Sequence, residues 1–195
     1  AAAGSNIQCR AVAGAGKTTT LLLLAAQSPG AHHLLLTYNK RLQLEVARRA
    51  RRSVGNLDVK TFHSAAGAAC GSVVRNDEDF RRAVAAPPEQ PPRFAVLLID
   101  EAQDMQVEYF AFVRHLLAAN PGARVVVVGD ELQTINQYRG AHPGFLTEAA
   151  AIFETGPLPG GGARPWASLR LSTSYRLTPA TAAFVNAQLY NAPVL

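Results

Sequence analysis

Ala11-Val-Ala-Gly-Ala-Gly-Lys-Thr18 is the stretch that decides the fold of this 195-residue chain. Apolar residues alternate before it at Ile7, Cys9 and Ala11, and an apolar run from Leu21 to Leu24 follows it, which is typical of a strand, a glycine loop and a helix. Such a loop turns backbone N–H groups and a helix N-terminus toward phosphates, while a lysine and a hydroxyl reach the phosphates and Mg²⁺. The stretch therefore predicts a phosphate-binding loop.

Lys17 and Thr18 are the two side chains that this loop would supply to a triphosphate and its metal. The match to G-x-x-x-x-G-K-[ST] is imperfect, because Ala11 stands where the first glycine belongs. A flexible Gly/Ala turn at a helix start is the alternative. The strand before the loop and the helix after it favour phosphate binding.

The composition fits one globular α/β unit. Hydrophobic residues make up 48% of the chain, more than a disordered segment carries, and the length allows one sizeable core. A net charge of +5 favours a polyanionic partner, with nucleic acid first, although the arginines between positions 48 and 52 also fit a solvated helix face. The apolar runs are too short to span a membrane, and the two cysteines form no metal or disulfide pattern. We expect an intracellular protein, cytoplasmic or nuclear, with no membrane partner.

Strands and helices alternate along the rest of the chain. Strands are predicted at His33–Thr37, Leu57–Lys60, Phe94–Ile99, Arg124–Val128 and Ser168–Leu171. The alternation predicts an α/β fold with a mostly parallel sheet flanked by helices, and the carboxyl ends of its strands share one edge. The acids at 77–79 open a predicted helix, which they favour without needing a functional role. A mobile loop is predicted at Gly160–Gly162.

Asp100 and Glu101 come directly after the predicted strand Phe94–Ile99. An aspartate at such a strand end positions a metal, and a glutamate beside it polarises an attacking water. Two solvated acids at a helix start are the alternative, which the nearby phosphate loop disfavours. Gln133, at the end of the neighbouring strand, is predicted to orient the water or to sense the γ-phosphate. The pattern points to phosphoryl hydrolysis.

Six motifs in one order resemble motifs I to IV of the UvrD/Rep-like superfamily 1 DNA helicases. The matching stretches are Ala13–Thr18, Thr37–Lys40, Lys60–Ser64, Asp100–Asp104, Gly129–Ile135 with Tyr138–Ala141, and Ser174–Arg176. The resemblance spans nearly the whole chain and is closest to the F-box DNA helicase branch, with a minimal insert at about 72–93. It implies a RecA-like P-loop NTPase fold over residues 1–195, as the first RecA-like domain of a helicase.

The resemblance implies that the chain binds and hydrolyses ATP with Mg and contacts single-stranded DNA, in a motor that translocates 3′ to 5′. It implies catalytic roles for Glu101, Gln133 and Arg176, the last as an arginine finger. Thr18 and Asp100 would hold the metal, and Tyr175 would stack on adenine. The other nucleotide contacts would come from Ala13, Gly14, Ala15, Gly16, Lys17, Thr18 and Thr19.

The same resemblance implies a set of DNA contacts. They are Tyr38, Asn39, Lys40, Thr61, Phe62, His63, Tyr138 and Arg139. A core position stays open for Phe62 and Tyr38, and a structural hydrogen bond for His63. Asn136 stands where the family has an aromatic residue, so one base-stacking position is expected to be missing. His142 and Ser174 depart from the family as well.

Two other functions compete with a helicase motor. A P-loop kinase would need an acceptor site and gives no reason for Gln133 or for Ser174–Arg176. A nucleotide-gated DNA-binding module from a degenerate helicase is the alternative that stays open. The partner of such a motor domain is a second RecA-like domain of the same parent, which we expect to be absent from this chain. The chain alone is then expected to hydrolyse ATP poorly and not to unwind DNA.

Overall fold

The computed structural model of the protein describes residues 4–153 and 163–190, and the loop predicted at Gly160–Gly162 lies outside them. The strands are β1 (Asn6–Ala11), β2 (His33–Thr37), β3 (Leu57–Thr61), β4 (Val96–Ile99), β5 (Arg124–Gly129) and β6 (Trp166–Leu171). The helices are α1 (Lys17–Ala26), α2 (Lys40–Ser53), α3 (Phe62–Ala69), α4 (Asp77–Ala83), α5 (Val107–Ala119), α6 (Gly144–Thr147), α7 (Ala149–Ile152) and α8 (Pro179–Val185).

These six strands form one sheet in the order β3-β2-β4-β5-β1-β6, and every neighbouring pair within the described residues is parallel. The predicted α/β class and parallel sheet are confirmed. Because all strands run the same way, the residues that follow them emerge at one edge. The phosphate loop follows β1 there, two positions from the Asp100–Glu101 pair after β4.

Hydrophobic side chains cover both faces of the sheet, as a parallel sheet requires. In β2, Leu34 and Leu36 pack with α3, α4 and α5 on one face, whereas Leu35 packs with α1 and α2 on the other. All five residues of β2 are buried, which explains why the strand reads as a continuous apolar run. Packing on both faces of the sheet therefore fixes the positions of the strand ends.

Short polar side chains begin several helices by accepting backbone hydrogen bonds, as N-caps do. Asn39 accepts from Arg41 N and Leu42 N at the start of α2, and Thr178 accepts from Thr181 N before α8.

Strand β4 begins two residues later than predicted, because the Phe94 N–H donates to the Asn120 side chain at 3.1 Å and not to the neighbouring strand.

Phe112, in the middle of α5, tests how much the packed face of the sheet stabilises the fold. Its ring is fully buried and meets the Phe80 ring edge-on, with centroids 5.8 Å apart. Phe112→Ala should lower the free energy of unfolding by about 3–5 kcal/mol, because it leaves a cavity in the core. Val107→Ala, at a 68% exposed position of the same helix, should change it by less than about 0.5 kcal/mol. Urea unfolding curves measure both, and equal effects would contradict this packing.

Candidate functional site

The turn after β1 forms the floor of a cleft of about 370 Å³, here called the phosphate-loop cleft. It is lined by Gly14, Ala15, Gly16, Lys17, Thr18, Thr19, Leu42, Glu45, Arg49, Glu101, Gln133, Tyr175 and Arg176. Gly14 and Gly16 have φ of 73° and 82°, values that residues with a side chain rarely adopt. Gly16 precedes the first turn of α1, where no side chain of the described residues caps the helix. The backbone N–H groups of that turn are thus suited to an anion.

Two contacts join the phosphate loop to the end of β4. The Thr18 hydroxyl donates to Asp100 Oδ2 at 3.0 Å, and Lys17 Nζ lies 3.4 Å from Glu101 Oε2. The Lys17 and Glu101 side chains are 10% and 32% exposed, so the ion pair borders the cleft. The structure therefore brings together the four residues that the sequence placed at the phosphates and the metal.

Asp100 is almost fully buried, at 1% exposure. Its pKa is raised to about 6, mainly by burial and also by the neighbouring negative charge of Glu101. The hydrogen bond from Thr18 and the charge of Lys17 oppose this shift. Such a carboxylate gains from a cation that takes the place of its lost hydration.

Thr18 and Asp100 are the residues that could hold a metal. A carboxylate and a hydroxyl oxygen are hard ligands of the kind that Mg²⁺ accepts, and Mg²⁺ takes its remaining ligands from water and phosphates. Among residues 4–153 and 163–190, no group of three or more His, Cys, Asp and Glu side chains is arranged for a metal. The donor set thus fits Mg²⁺ shared with a phosphate better than a metal held by the protein alone.

Glu101 has an unusual backbone conformation. Its φ is 53°, and within the described chain no other residue apart from glycine has a positive φ. Such strain is uncommon and concentrates at functional sites. Gln103 supports the side chain, because its Nε2 donates to Glu101 Oε2 at 3.1 Å. The backbone and one hydrogen bond thus aim the carboxylate at the cleft.

A chain of hydrogen bonds links Glu101 to Gln133 across the ends of β4 and β5. Gln103 Oε1 accepts from the Asp130 N–H at 3.1 Å, and Gln133 Nε2 donates to Asp130 Oδ2 at 2.5 Å. A Cβ at Gly129 would lie 2.2 Å from Gln103 Oε1, so only glycine leaves room for this approach. Gln103 is a site residue that the sequence reasoning missed, although it lies within the quoted Asp100–Asp104 stretch.

The segment after β6 packs directly on the phosphate loop. The Tyr175 N–H donates to the Gly14 carbonyl at 3.0 Å, and a Cβ at Gly14 would lie 2.4 Å from Arg176 Cβ. Tyr175 is 83% exposed, and both Tyr175 and Arg176 line the cleft. Gly14 is therefore needed for this close approach as well as for its own φ.

Helix α2 adds two residues to the cleft that the sequence reasoning missed. Glu45 and Arg49 line it, and Arg49 Nη2 donates to the Thr19 hydroxyl at 3.0 Å. Arg49 belongs to the basic stretch that fitted a solvated helix face. Arg49 lies seven residues after Leu42 and four after Glu45, a helical spacing that puts the three on one face and could have identified it.

A neighbouring cleft of about 560 Å³ shares Leu42, Glu101 and Gln133 with the phosphate-loop cleft. Tyr38, Asn39 and Lys40 line it, as the sequence predicts for one strand end. Tyr138 is 83% exposed beyond β5, and Arg139 is exposed beside it. These residues are placed where a ligand could reach them.

The structure corrects two of the predicted DNA contacts. Phe62 is only 1% exposed and packs on Tyr38 and Tyr109, with ring centroids 4.7 and 4.9 Å away, so its ring belongs to the core. The Thr61 hydroxyl is committed to capping α3, where it accepts from Ser64 N at 3.1 Å. Tyr38 is half-buried in the same aromatic cluster, which favours the core position left open for it. His63 Nε2 lies 3.2 Å from Asp77 Oδ1, which fits the structural hydrogen bond left open for His63.

The fold and the site together define a P-loop nucleotide-binding domain of the RecA-like class. A family model described as an AAA domain (AAA_19) matches residues 1–139, and the chain belongs to this family. Its α/β fold matches that of RecA-like helicase domains, as the motifs predict. The finer UvrD/Rep-like and F-box assignment stays a prediction. No curated protein matches the chain in sequence.

Solved helicases share the fold at low sequence identity. Pif1 helicase from Bacteroides in complex with ADP-AlF3 and single-stranded DNA matches with a TM-score of 0.55 and 17% identity, over 98% of this chain and 44% of that one. Arterivirus nonstructural protein 10, a helicase in complex with DNA, matches with a TM-score of 0.54 and 11% identity, over 93% and 39%. The chain thus spans less than half the length of these proteins.

Among the described residues, no helix combines the length and apolar character that crossing a membrane requires.

Asp100→Asn tests the electrostatics of the buried carboxyl. The folded-state pKa of about 6 lies above the 3.8 of an exposed aspartate, so the folded protein binds this proton more tightly than the unfolded chain. Wild-type stability relative to the variant should therefore fall as pH rises through about 6. In metal-free buffer the variant should be the more stable protein at about pH 7.5, by at most about 3 kcal/mol, and lose that advantage by about pH 4.

Urea unfolding at several pH values measures this difference. Glu89→Gln, at an exposed position between α4 and β4, is the control and should show no comparable change of stability with pH. A stability difference for Asp100→Asn that stays constant across this range would contradict the raised pKa.

Proposed function

We propose that the chain is the motor domain of an ATP-dependent DNA helicase, which binds and hydrolyses ATP with Mg²⁺ and contacts single-stranded DNA. The observation that carries the proposal is the pair of contacts from Thr18 to Asp100 and from Lys17 to Glu101 at the rim of one cleft. These contacts bring an ammonium, a hydroxyl and two carboxylates together, a set of groups that supports binding of a phosphate and a metal.

The Lys17–Glu101 ion pair suggests how nucleotide binding prepares the site. A triphosphate in the loop competes with Glu101 for the Lys17 ammonium, since phosphate oxygens offer more negative charge than one carboxylate. Glu101 is then free to accept a proton from water, held by its hydrogen bond from Gln103. The base would thus become available only when nucleotide is present.

Other residues complete the proposed hydrolytic site. Mg²⁺ would be held by Thr18 and Asp100 and would neutralise charge that develops on the phosphates. Gln133, tied to Asp130, would orient the attacking water. Tyr175 would stack on adenine, and Arg176 would approach the phosphates as an arginine finger; both line the cleft and are exposed.

The proposed DNA surface runs along the same sheet edge and is formed by residues that follow β2, β3 and β5. Its exposed side chains are Asn39, Lys40, Tyr138 and Arg139, with His63 half-buried beside them. The neighbouring cleft shares Glu101 and Gln133 with the phosphate-loop cleft, which supports coupling between the two ligands. The Bacteroides and arterivirus structures named above contain DNA, which supports the same assignment for this fold.

Unwinding and 3′ to 5′ translocation are proposed for the parent protein. The chain spans less than half the length of the matched helicases, and translocation requires a second RecA-like domain that closes on ATP. Tyr175 and Phe184 expose 83% and 67% of their surface after β6, where that domain would pack. Without unwinding in the parent, the chain would instead be a nucleotide-gated DNA-binding module.

Lys17→Ala and Glu101→Gln should separate nucleotide binding from hydrolysis. Loss of the ammonium should weaken MgATP binding, whereas Glu101→Gln should keep binding and slow hydrolysis by about 10²-fold or more, the size of general-base effects. Fluorescent-nucleotide titration measures binding, and single-turnover phosphate release with protein in excess, with and without oligothymidine, measures hydrolysis.

Arg82→Ala is the charge control for Lys17→Ala, because it removes one positive charge from a 70% exposed position of α4. It should leave both quantities unchanged. Equal MgATP affinity in wild type and Lys17→Ala would overturn the assignment of the loop. Binding without any hydrolysis in wild type, also in the full-length parent, would favour the nucleotide-gated module.

Tyr138→Ala tests base stacking at the DNA surface. Removal of the exposed ring should cost about 1–3 kcal/mol of single-strand affinity, with little preference for base sequence. Fluorescence anisotropy with labelled oligothymidine and mixed-sequence oligonucleotides measures this. Phe184→Ala, which removes a ring of similar exposure on α8, should bind as wild type does. An unchanged affinity in Tyr138→Ala would exclude the ring from the DNA surface.

A further inference from the structure

Three side chains from separate parts of the chain converge on the carboxylate of Asp77, the first residue of α4. The Tyr109 hydroxyl donates to Oδ1 at 3.1 Å, and His63 Nε2 lies 3.2 Å from the same oxygen. Arg139 Nη2 donates to Oδ2 at 3.1 Å, across 62 residues of sequence. His63 and Arg139 are both members of the proposed DNA surface. The first-turn acid that needed no functional explanation in the sequence therefore connects two DNA-surface residues.

Tyr109 fixes Asp77 to a rigid part of the fold. Its ring is 7% exposed and contacts Phe62 and Phe80, with centroids 4.9 and 4.8 Å away. Burial raises the pKa of Tyr109, and the charge of Asp77 raises it further, so the hydroxyl remains a donor. The Asp77 carboxylate is thus anchored through Oδ1 by a partly buried hydrogen bond, while Oδ2 accepts from the exposed Arg139 guanidinium.

Arg139 has further N–H donors that could bind a second anion. A guanidinium carries five N–H donors, and one of its nitrogens meets Asp77. Its side chain is 54% exposed, and it ends the short turn Gln137–Arg139 that carries Tyr138. A guanidinium held by a carboxylate loses less conformational freedom when it binds a phosphate. Holding Arg139 also holds the turn that presents the Tyr138 ring.

We propose that Asp77 is a positioning residue of the single-stranded DNA surface, which orients Arg139 toward a backbone phosphate and fixes the Tyr138 turn and His63 beside it. The inference rests on the proposed DNA binding and deepens it, because it assigns a role to the insert between the motifs. The ligand is a phosphodiester strand, contacted by Arg139 while Asp77 stays paired with it.

The direction of the change in DNA affinity distinguishes a positioning role of Asp77 from the effect of its charge alone. Asp77→Ala raises the net charge from +5 to +6, which by itself tightens binding to a polyanion. Positioning predicts the opposite result, because a freed Arg139 loses its fixed orientation. It also predicts a smaller salt dependence, since each lost phosphate contact lowers the slope of log K against log salt by about 0.7 for a single strand.

The experiment measures oligothymidine binding by fluorescence anisotropy at several salt concentrations. Asp77→Ala should weaken binding by on the order of tenfold and lower the slope, and Arg139→Ala should do the same. In the Arg139→Ala background, Asp77→Ala should weaken binding by clearly less than it does in the wild type, because its main partner is already gone. Glu78→Ala is the matched control, because it removes a neighbouring, 76% exposed acid whose ion pair is to Arg82, and it should bind as wild type or slightly more tightly.

Asp77→Asn distinguishes lost positioning from a folding defect. It keeps an acceptor for the Tyr109 hydroxyl and removes the charge that holds Arg139. It should retain wild-type urea stability more closely than Asp77→Ala and still show the lower salt slope. Wild-type affinity or tighter binding in a folded Asp77→Asn or Asp77→Ala protein, with an unchanged slope, would overturn the inference. Failure of the wild type itself to bind oligothymidine would instead overturn the proposed DNA function.

Discussion

The hydrogen bond from the Thr18 hydroxyl to the buried Asp100 carboxylate is the contact on which the site depends. It joins the loop after β1 to the end of β4, two positions away in the sheet. Buried apolar strands on both sides hold these ends in place, so the distance is set by the core and not by the loops. A buried carboxylate with a raised pKa is costly to ionise, and a metal ion beside it would offset that cost.

The order of the strands arranges the two proposed ligands along one edge. The phosphate loop and the Tyr175 segment follow β1 and β6 at one side of the sheet. The proposed DNA residues Asn39, Lys40 and His63 follow β2 and β3 at the other side, and Tyr138 and Arg139 belong to the segment after β5. Glu101 lies between them after β4 and lines both clefts. Its positive φ and its bond from Gln103 make it the point where a change at the phosphates could reach the DNA side.

Local sequence signals predicted much of the fold and the core of the site. The apolar run His33–Thr37 forms β2 with the predicted bounds, and Lys17, Thr18, Asp100 and Glu101 meet as the strand ends imply. The positions and contacts of Phe62, Arg49 and Asp77 could not be predicted from local sequence signals, because each depends on contacts between distant segments. Packing against Tyr109 makes Phe62 a core residue, and Asp77 acquires Arg139 as a partner only through the fold.

The most direct test of the account is a crystal structure of the chain with Mg²⁺, ADP and aluminium fluoride. We expect Lys17 Nζ to leave Glu101 for the phosphate groups of the bound nucleotide, and Thr18 and Asp100 to hold the metal. We also expect Glu101 and Gln133 to contact the attacking water. An intact Lys17–Glu101 ion pair beside a bound nucleotide, or a nucleotide bound away from Gly14–Thr18, would contradict the account.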